Sequence, residues 1–361
     1  MVFQNSAGSG AGSWASISAA GSLGGSHRKS TTIGDKVTIS WTGRALYLYI
    51  VQDSGGADFT ITTDGVTKQF KETCNERDSV HRQKGFYRVP ICLERDLFDG
   101  PHITVIQSVA TTIQSTPTAP AFNLYVEGHV SISGIRTKPA SNTRIINTTG
   151  DSWTVGVGAT TLSNSYVSLL VRELSRASKQ EWTLNNKAAS GAAIVNTDTN
   201  NIITIFEQIV SSNANAPNSL TIQSGVNSLR SFGNGESAGQ FIGYLRTALM
   251  LVEDIFDTSE MKVVVGTPGF ISSHFRMVKM TYFNTILTTA SYSQGEYELA
   301  VRLVRGLKNQ FPWLRIADVY AAMNEDPKLV YPNNDPFDLG LHLNNSGHGV
   351  VASPYIESLM S

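Results

Sequence analysis

The chain has 361 residues, of which 41% are hydrophobic, and its 28 lysine and arginine residues nearly balance 29 aspartate and glutamate residues, giving a net charge of −1. This length accommodates two domains with well-buried cores, and the lack of a basic excess argues against nucleic acid as a partner. No apolar run is long enough to span a membrane, and the Gly- and Ser-rich N-terminus lacks the unbroken apolar core of a signal peptide.

The first third of the chain has the alternation of apolar and polar residues that is typical of β-strands. Residues 1–30 are predicted to be a flexible segment. Strands follow from residue 36, with Asp64-Gly65 as a hairpin turn. Further strands are expected over 86–92, 102–108 and 122–133. Short, evenly spaced strands separated by Gly, Pro and Asp predict a β-sandwich of the jelly-roll type over residues 31–138.

Several aromatic side chains of this domain are candidates for a sugar-stacking platform. Because an alternating strand must bury one face, core packing is the expected use for most of them. Tyr47 and Tyr49 lie on the strand face opposite to the aliphatic residues beside them, so these two are predicted to be the exposed ones. The others are Trp41, Phe59 and Tyr125.

After a polar linker over residues 137–143, apolar runs alternate with amphipathic segments of helical period. Strands are predicted to end at Ile146 and to cover 202–205, 220–223, 261–266 and 314–319. Helices are predicted over 163–180, 239–256, 293–311 and 347–360. This alternation predicts an α/β domain over residues 144–361, with a parallel sheet covered by helices on both faces. Ligands of such sheets bind at the carboxyl ends of the strands.

Gly150-Asp151-Ser152 follows the first predicted strand of this second domain, at the edge where ligands bind. A serine hydroxyl becomes an effective nucleophile only when a base takes its proton, so a histidine is required. His342 closely follows Asp335 and Asp338, and either carboxylate could orient its ring. The sequence therefore predicts a hydrolytic site built on Ser152 and His342.

Two other histidines follow Ser152 in this domain. His348 lies at the start of the closing helix, where capping or packing is expected. His274 comes after a loop that follows a predicted strand, so it could border the pocket.

A negative charge that develops on a substrate oxygen needs N–H donors around Ser152. Gly191 and Asn227 each follow an apolar run or plausible strand, so the Gly191 N–H, the Asn227 side-chain amide and the Ser152 N–H are predicted to form a three-donor oxyanion hole. The sequence offers no Cys/His cluster for zinc, and neither a metal nor an organic cofactor is predicted.

Four blocks of the chain resemble the SGNH hydrolase superfamily, also called GDSL esterases. They are Gly150-Asp151-Ser152, Gly191, Gly225-x-Asn227, and Asp338 with His342, in the order of the family. The resemblance covers residues 144–361 and implies a flavodoxin-like α/β/α domain that hydrolyses esters through an acyl-enzyme. It implies that Ser152 is the nucleophile, that His342 is the base, and that Gly191 and Asn227 complete the oxyanion hole.

The chain departs from the family pattern around the acid. Leu339 occupies the usual acidic position three residues before the histidine. Asp338 is the favoured third member of a triad and Asp335 is the second choice, while a Ser–His dyad oriented by a backbone carbonyl stays open. Trp153 replaces the smaller residue common after the serine and, with His274, is expected to line the substrate pocket.

The first domain, over residues 36–70 and 97–108, resembles the jelly-roll module of family 2 carbohydrate esterases. That family removes acetyl groups from polysaccharides, and some members use a dyad without the acid. The N-terminal composition, weak charge and lack of a signal peptide are similar to bacteriophage tail proteins with SGNH deacetylase domains. These resemblances imply an esterase that removes O-acetyl groups from a polysaccharide, located outside the cell or on a virion, and a homotrimer if the protein is a tail spike.

The sequence is also compatible with two other functions. One is a non-catalytic glycan-binding or structural tail protein with a degenerate SGNH domain, a reading that Leu339 and Trp153 permit. The other is an esterase of lipids or simple carboxylic esters.

Overall fold

The computed structural model describes residues 1–4, 14–52, 58–70, 86–109, 124–139, 144–195, 203–212, 217–229, 237–269, 280–282, 285–287, 294–324, 326–329 and 342–361. The chain divides into two compact units, the first built mainly from Met1–Ile135 and the second from Arg136–Ile194 and Ile202–Ser361. Among the described residues, no helix combines the length and apolar character needed to cross a membrane.

The first unit is made of antiparallel β-strands. The described strands are β1 (Val2–Gln4), β2 (Ala15–Ser18), β3 (Ser26–Ser30), β4 (Lys36–Gly43), β5 (Ala45–Gln52), β6 (Asp58–Thr63), β7 (Val66–Phe70), β8 (Phe86–Glu94), β9 (Gly100–Val109), β10 (Leu124–Val126) and β11 (Gly128–Ile132). They form a five-stranded sheet, β1-β4-β9-β6-β7, and two three-stranded sheets, β10-β3-β2 and β11-β5-β8. Burial alternates along β4 and β9, so one face of the large sheet is covered and the other is more exposed. The predicted β-sandwich class is confirmed.

Within residues 1–30, the described stretches 1–4 and 14–30 contain paired strands, in contrast to the flexible segment that composition predicts. Strand β1 pairs with β4, and β2 pairs with β3. Trp14 is buried, its indole N–H donates to the Gln4 carbonyl at 3.0 Å, and its ring packs against Phe3 with centroids 4.9 Å apart. A few apolar side chains among many Gly and Ser residues are therefore enough to join this segment to the sheets.

Tyr47 and Tyr49 are buried, at 0% and 3% exposure, so the prediction that they are exposed is wrong. They lie on β5, the central strand of its sheet, and all eight residues of β5 are buried. A period of two fixes which side chains share a face, but it does not show whether the second face meets solvent. Trp41, Phe59 and Tyr125 are buried as expected.

The second unit is built on a parallel sheet. Its strands are β12 (Ile145–Gly150), β13 (Thr183–Asn186), β14 (Ser219–Gln223), β15 (Lys262–Gly266) and β18 (Leu314–Ala317), and a separate pair consists of β16 (Met280–Tyr282) and β17 (Thr285–Leu287). The sheet order is β13-β12-β14-β15-β18, with every pair parallel. Counted among the five strands of this sheet, the order is 2-1-3-4-5, the flavodoxin-like order, which confirms the predicted fold class.

Helices cover both faces of this sheet. They are α1 (Ser152–Val155), α2 (Tyr166–Ser178), α3 (Ile205–Ser212), α4 (Ala238–Ile255), α5 (Gln294–Gly306), α6 (Val319–Met323) and α7 (Asn345–Met360). Buried residues of α2 and α7 join Ile146 and Val264 of the sheet in one apolar cluster. Helix α3 contacts the other face, where Asn147 Nδ2 donates to the Ser212 carbonyl at 3.1 Å.

Two elements differ from the sequence prediction. The β-branched run 202–205 is predicted to be a strand, but Ile205 begins helix α3. Thr204 and Glu207 form reciprocal hydrogen bonds at this helix start, a capping box that outweighs the local strand propensity. Strand β13 was missed because its sequence, Thr-Leu-Asn-Asn, lacks an apolar period.

Candidate active site

The predicted nucleophile lies at the carboxyl end of β12. Gly150 ends this strand, and a Cβ placed on it would overlap the Thr154 side chain and come within 2.7 Å of the Gln223 carbonyl oxygen, so only glycine fits. The chain turns at Asp151, whose Oδ1 accepts the Trp153 N–H at 3.0 Å and caps α1. Ser152 is therefore the first residue of a short helix that begins at the ligand-binding edge of the sheet.

The structure brings the imidazole of His342 to the hydroxyl of Ser152. His342 Nε2 lies 3.1 Å from Ser152 Oγ, within hydrogen-bond distance, although 190 positions separate the residues. Ser152 is 5% exposed and His342 is half-buried. Their separation suits direct proton transfer between the two groups.

The residues that follow His342 fix it to helix α7. The Leu343 side chain is buried, and Asn344 caps the helix by accepting the Gly347 N–H at 3.0 Å. Asn344 Nδ2 also donates to the Lys328 carbonyl at 2.6 Å. His342 is thus anchored just before the start of a long helix, which limits its motion.

Helix α7 is tied in turn to the loop that follows the nucleophile. His348 Nδ1 accepts the Tyr166 N–H at 3.3 Å, and its Nε2 donates to the Val157 carbonyl at 3.2 Å. Burial lowers the pKa of His348 to about 4, so the ring is neutral in neutral solution. Asn345 adds a contact, since its Oδ1 accepts the Thr160 N–H at 3.0 Å. These bonds hold the segments carrying Ser152 and His342 in register, and they agree with the packing role predicted for His348.

The two predicted oxyanion blocks lie beside the nucleophile turn. The Ala189 N–H donates to the Gly150 carbonyl at 3.2 Å, which holds the following turn against the end of β12. Gly191 in this turn is exposed and has a φ of 79°, a conformation that favours glycine. Asn227 Nδ2 donates to the Ala192 carbonyl at 3.1 Å, which connects the second block to the first. The hydrogen bonds of the described residues give no acceptor to the N–H of Gly191.

The carboxyl group of Asp151, which lies at this edge of the sheet, has an unusually high pKa. Burial raises its pKa to about 7, and the hydrogen bond from the Trp153 N–H only partly offsets that effect. Its Oδ2 is buried and has no hydrogen-bond partner among the described residues. The group that caps the nucleophile's helix is therefore poised between its neutral and charged forms near neutral pH.

Trp153 does not line an open pocket, contrary to the sequence prediction. Its side chain is 0% exposed and belongs to the cluster that includes Tyr166, Val226 and Met323. A Cβ on Gly269 would overlap the indole ring. The first turn of α1 directs Trp153 into the core. The predicted third triad members Asp338 and Asp335, and the predicted pocket residue His274, lie outside the described residues.

Asn186, for which no sequence pattern predicts a role, also holds this edge of the sheet together. It ends β13, and its Nδ2 donates to the Thr154 carbonyl at 2.8 Å. Its Oδ1 accepts the Thr148 hydroxyl at 3.0 Å and the Ala188 N–H at 3.1 Å. One side chain thus connects the nucleophile's helix, its strand and the Gly191 turn. The described residues contain no cluster of three or more His, Cys, Asp or Glu side chains that could hold a metal ion.

No family model and no curated protein matches the chain. Solved structures similar to it include a family two carbohydrate esterase from Clostridium thermocellum in complex with cellohexaose, at 13% identity over 92% of this chain and 93% of that one, with a TM-score of 0.40. A lipase/acylhydrolase from Enterococcus faecalis has 19% identity over 60% of this chain and 95% of its own, with a TM-score of 0.43. An acetyl xylan esterase has 18% identity over 60% and 99% of the two chains, with a TM-score of 0.40.

The chain's own geometry defines its class more directly. The second unit has the 2-1-3-4-5 sheet order that the SGNH resemblance implies. It also places a serine hydroxyl and an imidazole at 3.1 Å from each other where β12 ends. The second unit is thus a flavodoxin-like α/β domain with a serine–histidine pair at the carboxyl edge of its parallel sheet.

Proposed function

We propose that this protein is a serine esterase in which Ser152 attacks the ester carbonyl and His342 transfers the protons. The observation that carries the proposal is the 3.1 Å separation between Ser152 Oγ and His342 Nε2. A histidine at this distance can take the hydroxyl proton as the oxygen attacks.

The oxyanion of the tetrahedral intermediate is assigned to three donors. Ser152 is the first residue of a helix, and Gly191 lies in an exposed turn. Asn227 uses one amide hydrogen for its bond to the Ala192 carbonyl, and its second amide hydrogen is the proposed donor. Donors fixed before the reaction stabilise the developing charge without reorganising.

The reaction then proceeds in two halves. In the first, protonated His342 gives its proton to the departing alcohol oxygen, and the acyl group stays on Ser152 as an ester. In the second, His342 takes a proton from water, the resulting oxygen attacks the acyl carbon, and the proton returns to Ser152 as the acid leaves. Asp338 is our proposed orienting acid, with Asp335 as the second candidate, and a Ser–His dyad is the third arrangement to be tested.

We further propose that the substrate is an O-acetyl group on a polysaccharide, acted on outside the cell or by a virion. Support comes from the sequence resemblance of the first unit to family 2 carbohydrate esterases, and from an N-terminal composition and weak charge similar to those of phage tail proteins that carry SGNH deacetylase domains. A trimeric assembly belongs to the same proposal.

The experiment compares the wild-type protein with Ser152→Ala. We expect the substitution to abolish labelling by an organophosphonate and to lower hydrolysis of an aryl acetate by roughly 10⁴- to 10⁶-fold. Ser353→Ala is the matched control, because Ser353 is exposed on α7 and its hydroxyl donates to Glu357 Oε1, in the same helix, at 3.3 Å. Full hydrolysis by Ser152→Ala would show that the nucleophile lies elsewhere.

The finer parts of the proposal have separate readouts. Acetate release from a panel of acetylated bacterial polysaccharides and acetylated xylan tests the substrate class. A preference for long-chain aryl esters over aryl acetate would instead indicate a lipid esterase. Turnover by Asp338→Asn and Asp335→Asn separates the triads from the dyad, since an unchanged rate in both variants supports the dyad.

A further inference from the structure

Asp151 immediately precedes the proposed nucleophile Ser152 in the chain. One of its two carboxyl oxygens has no hydrogen-bond partner among the described residues. Oδ1 accepts the Trp153 N–H, whereas Oδ2 is buried without a described partner. The whole residue is 1% exposed. An ionised oxygen that loses water without gaining a donor is costly, so this environment favours the neutral acid.

The titratable groups that face Asp151 from the packed helices do not compensate a charge there. Tyr166 of α2 and Tyr355 of α7 both interact with it electrostatically. Their hydroxyls are engaged elsewhere, since Tyr166 shares a hydrogen bond of 2.8 Å with Thr154 Oγ1 and Tyr355 donates to Gln223 Oε1 at 2.8 Å. Burial raises the pKa of both phenols, so they stay neutral.

Two histidines of the described residues also belong to this part of the unit. His342 bonds to the hydroxyl of Ser152, and neutral His348 is held by the Tyr166 N–H and the Val157 carbonyl. Among the described residues, no lysine or arginine forms an ion pair with Asp151. The described surroundings of the carboxyl group thus offer it no lysine or arginine partner.

We propose that Asp151 is a positioning residue that works in its neutral form: protonated, it caps the nucleophile's helix without opposing the oxyanion, and its ionisation slows acyl transfer. This inference rests on the proposed esterase function. Oδ1 can accept the Trp153 N–H in either form, so the geometry of Ser152 does not depend on the proton. The proton changes the charge of the Asp151 carboxyl group, next to Ser152.

The direction of the effect follows from covalent geometry. The Ser152 nitrogen, whose N–H is assigned to the oxyanion, is bonded to the carbonyl carbon of Asp151. The His342 ring lies beyond Ser152 Oγ, a further 3.1 Å away. A negative charge on Asp151 repels the oxyanion that the adjacent Ser152 N–H is assigned to hold, and this repulsion opposes the charge that develops during acyl transfer. Ionisation therefore lowers the rate.

The test is the pH profile of kcat/KM for an aryl acetate, with Ser152→Ala as the background. Wild-type activity should fall on the order of tenfold as Asp151 ionises. Burial places the pKa of Asp151 at about 7, so the fall should occur near neutral pH. Asp151→Asn keeps a good cap but cannot ionise, so its activity should not fall in this range.

A second variant and a measurement without turnover complete the experiment. Asp151→Ser also caps without ionising and should give the same flat profile. Infrared spectra of ¹³C-aspartate-labelled wild-type protein should show a carboxylic acid band that disappears near pH 7, well above the range of ordinary aspartates. A fall that persists in both variants, or the absence of this band, overturns the inference. Loss of all Ser152-dependent hydrolysis would instead overturn the proposed function, and the infrared titration would still report the charge state of Asp151.

Discussion

Each unit buries a histidine between two hydrogen-bond partners, and the partners favour opposite charge states. In the first unit, His102 Nδ1 meets Asp64 Oδ2 at 2.5 Å and Nε2 meets the Phe98 carbonyl at 2.9 Å. Both partners accept, so a proton on each nitrogen satisfies them. Burial lowers the pKa of His102, but its bonds to Asp64 and the Phe98 carbonyl raise it overall.

In the second unit, His348 has one acceptor, the Val157 carbonyl, and one donor, the Tyr166 N–H. Only a neutral ring can satisfy both, and burial lowers its pKa to about 4. His102 and His348 are both buried, so the hydrogen-bond character of the partners, and not burial alone, decides the charge of the ring. His342 is a third case, because the hydroxyl of Ser152 can donate or accept and the proton can therefore move.

The strongest change in activity is expected for a substitution of His342, in contrast to the structural histidines His102 and His348. We expect His342→Ala to lower kcat for an aryl acetate by roughly 10⁴- to 10⁶-fold, because the base is removed. Its urea midpoint should change little, since His342 is only half-buried. Turnover and urea unfolding of the same preparation provide the measurement.

His102→Gln is the control for this prediction. It alters a buried histidine of the first unit, so it should lower stability and leave turnover per folded molecule unchanged. If His342→Ala retained wild-type turnover, the contrast between the movable proton of His342 and the fixed ring states would be lost.

A smaller effect should distinguish His348 by pH. Its pKa is about 4 in the folded protein against 6.5 in the unfolded chain. The unfolded chain therefore binds the proton first, so the stability present above pH 6.5 is lost as pH falls toward 4, by on the order of 3 kcal/mol. Below pH 4 the loss levels off.

Urea unfolding at a series of pH values checks this expectation against His348→Gln. The glutamine variant should be less stable at pH 7 but should lose less free energy of unfolding on acidification, because it lacks the titrating ring. Parallel curves for the two proteins between pH 6.5 and 4 would contradict the neutral assignment of His348.

The sequence predicted the framework better than the environment of individual side chains. Periodicity located β4, β5 and the alternating α/β elements. The rule that ligands bind at the carboxyl ends of parallel strands selected the edge of the sheet where β12 ends and Ser152 lies. It did not predict the burial of Tyr47 and Tyr49, because an alternating pattern does not reveal a second covered face. Nor did the position of Trp153 beside Ser152 predict its direction into the core.

Capping and polar connections were also difficult to predict. The run 202–205 has strand propensity, and the capping box of Thr204 and Glu207 decides for a helix. Asn186 connects three segments through amide hydrogen bonds that depend on the tertiary fold. Local patterns therefore predict elements, whereas the bonds that hold a site in place arise from residues distant in sequence.

The weakest effect is expected on the pKa of His102, which is paired with Asp64 in the first unit. Asp64→Asn removes the negative charge beside His102 while retaining a side chain that tolerates the positive φ of 49° at this turn. The pKa of His102 should therefore fall, and an NMR titration of its ring protons in both proteins measures the change. A raised folded pKa adds stability that is present below the unfolded value of 6.5 and is lost as pH rises through the folded one. The stability difference between wild type and variant should therefore shrink as pH rises, opposite in direction to the titration of His348. An unchanged His102 midpoint in the variant would show that the Phe98 carbonyl, and not Asp64, holds the proton.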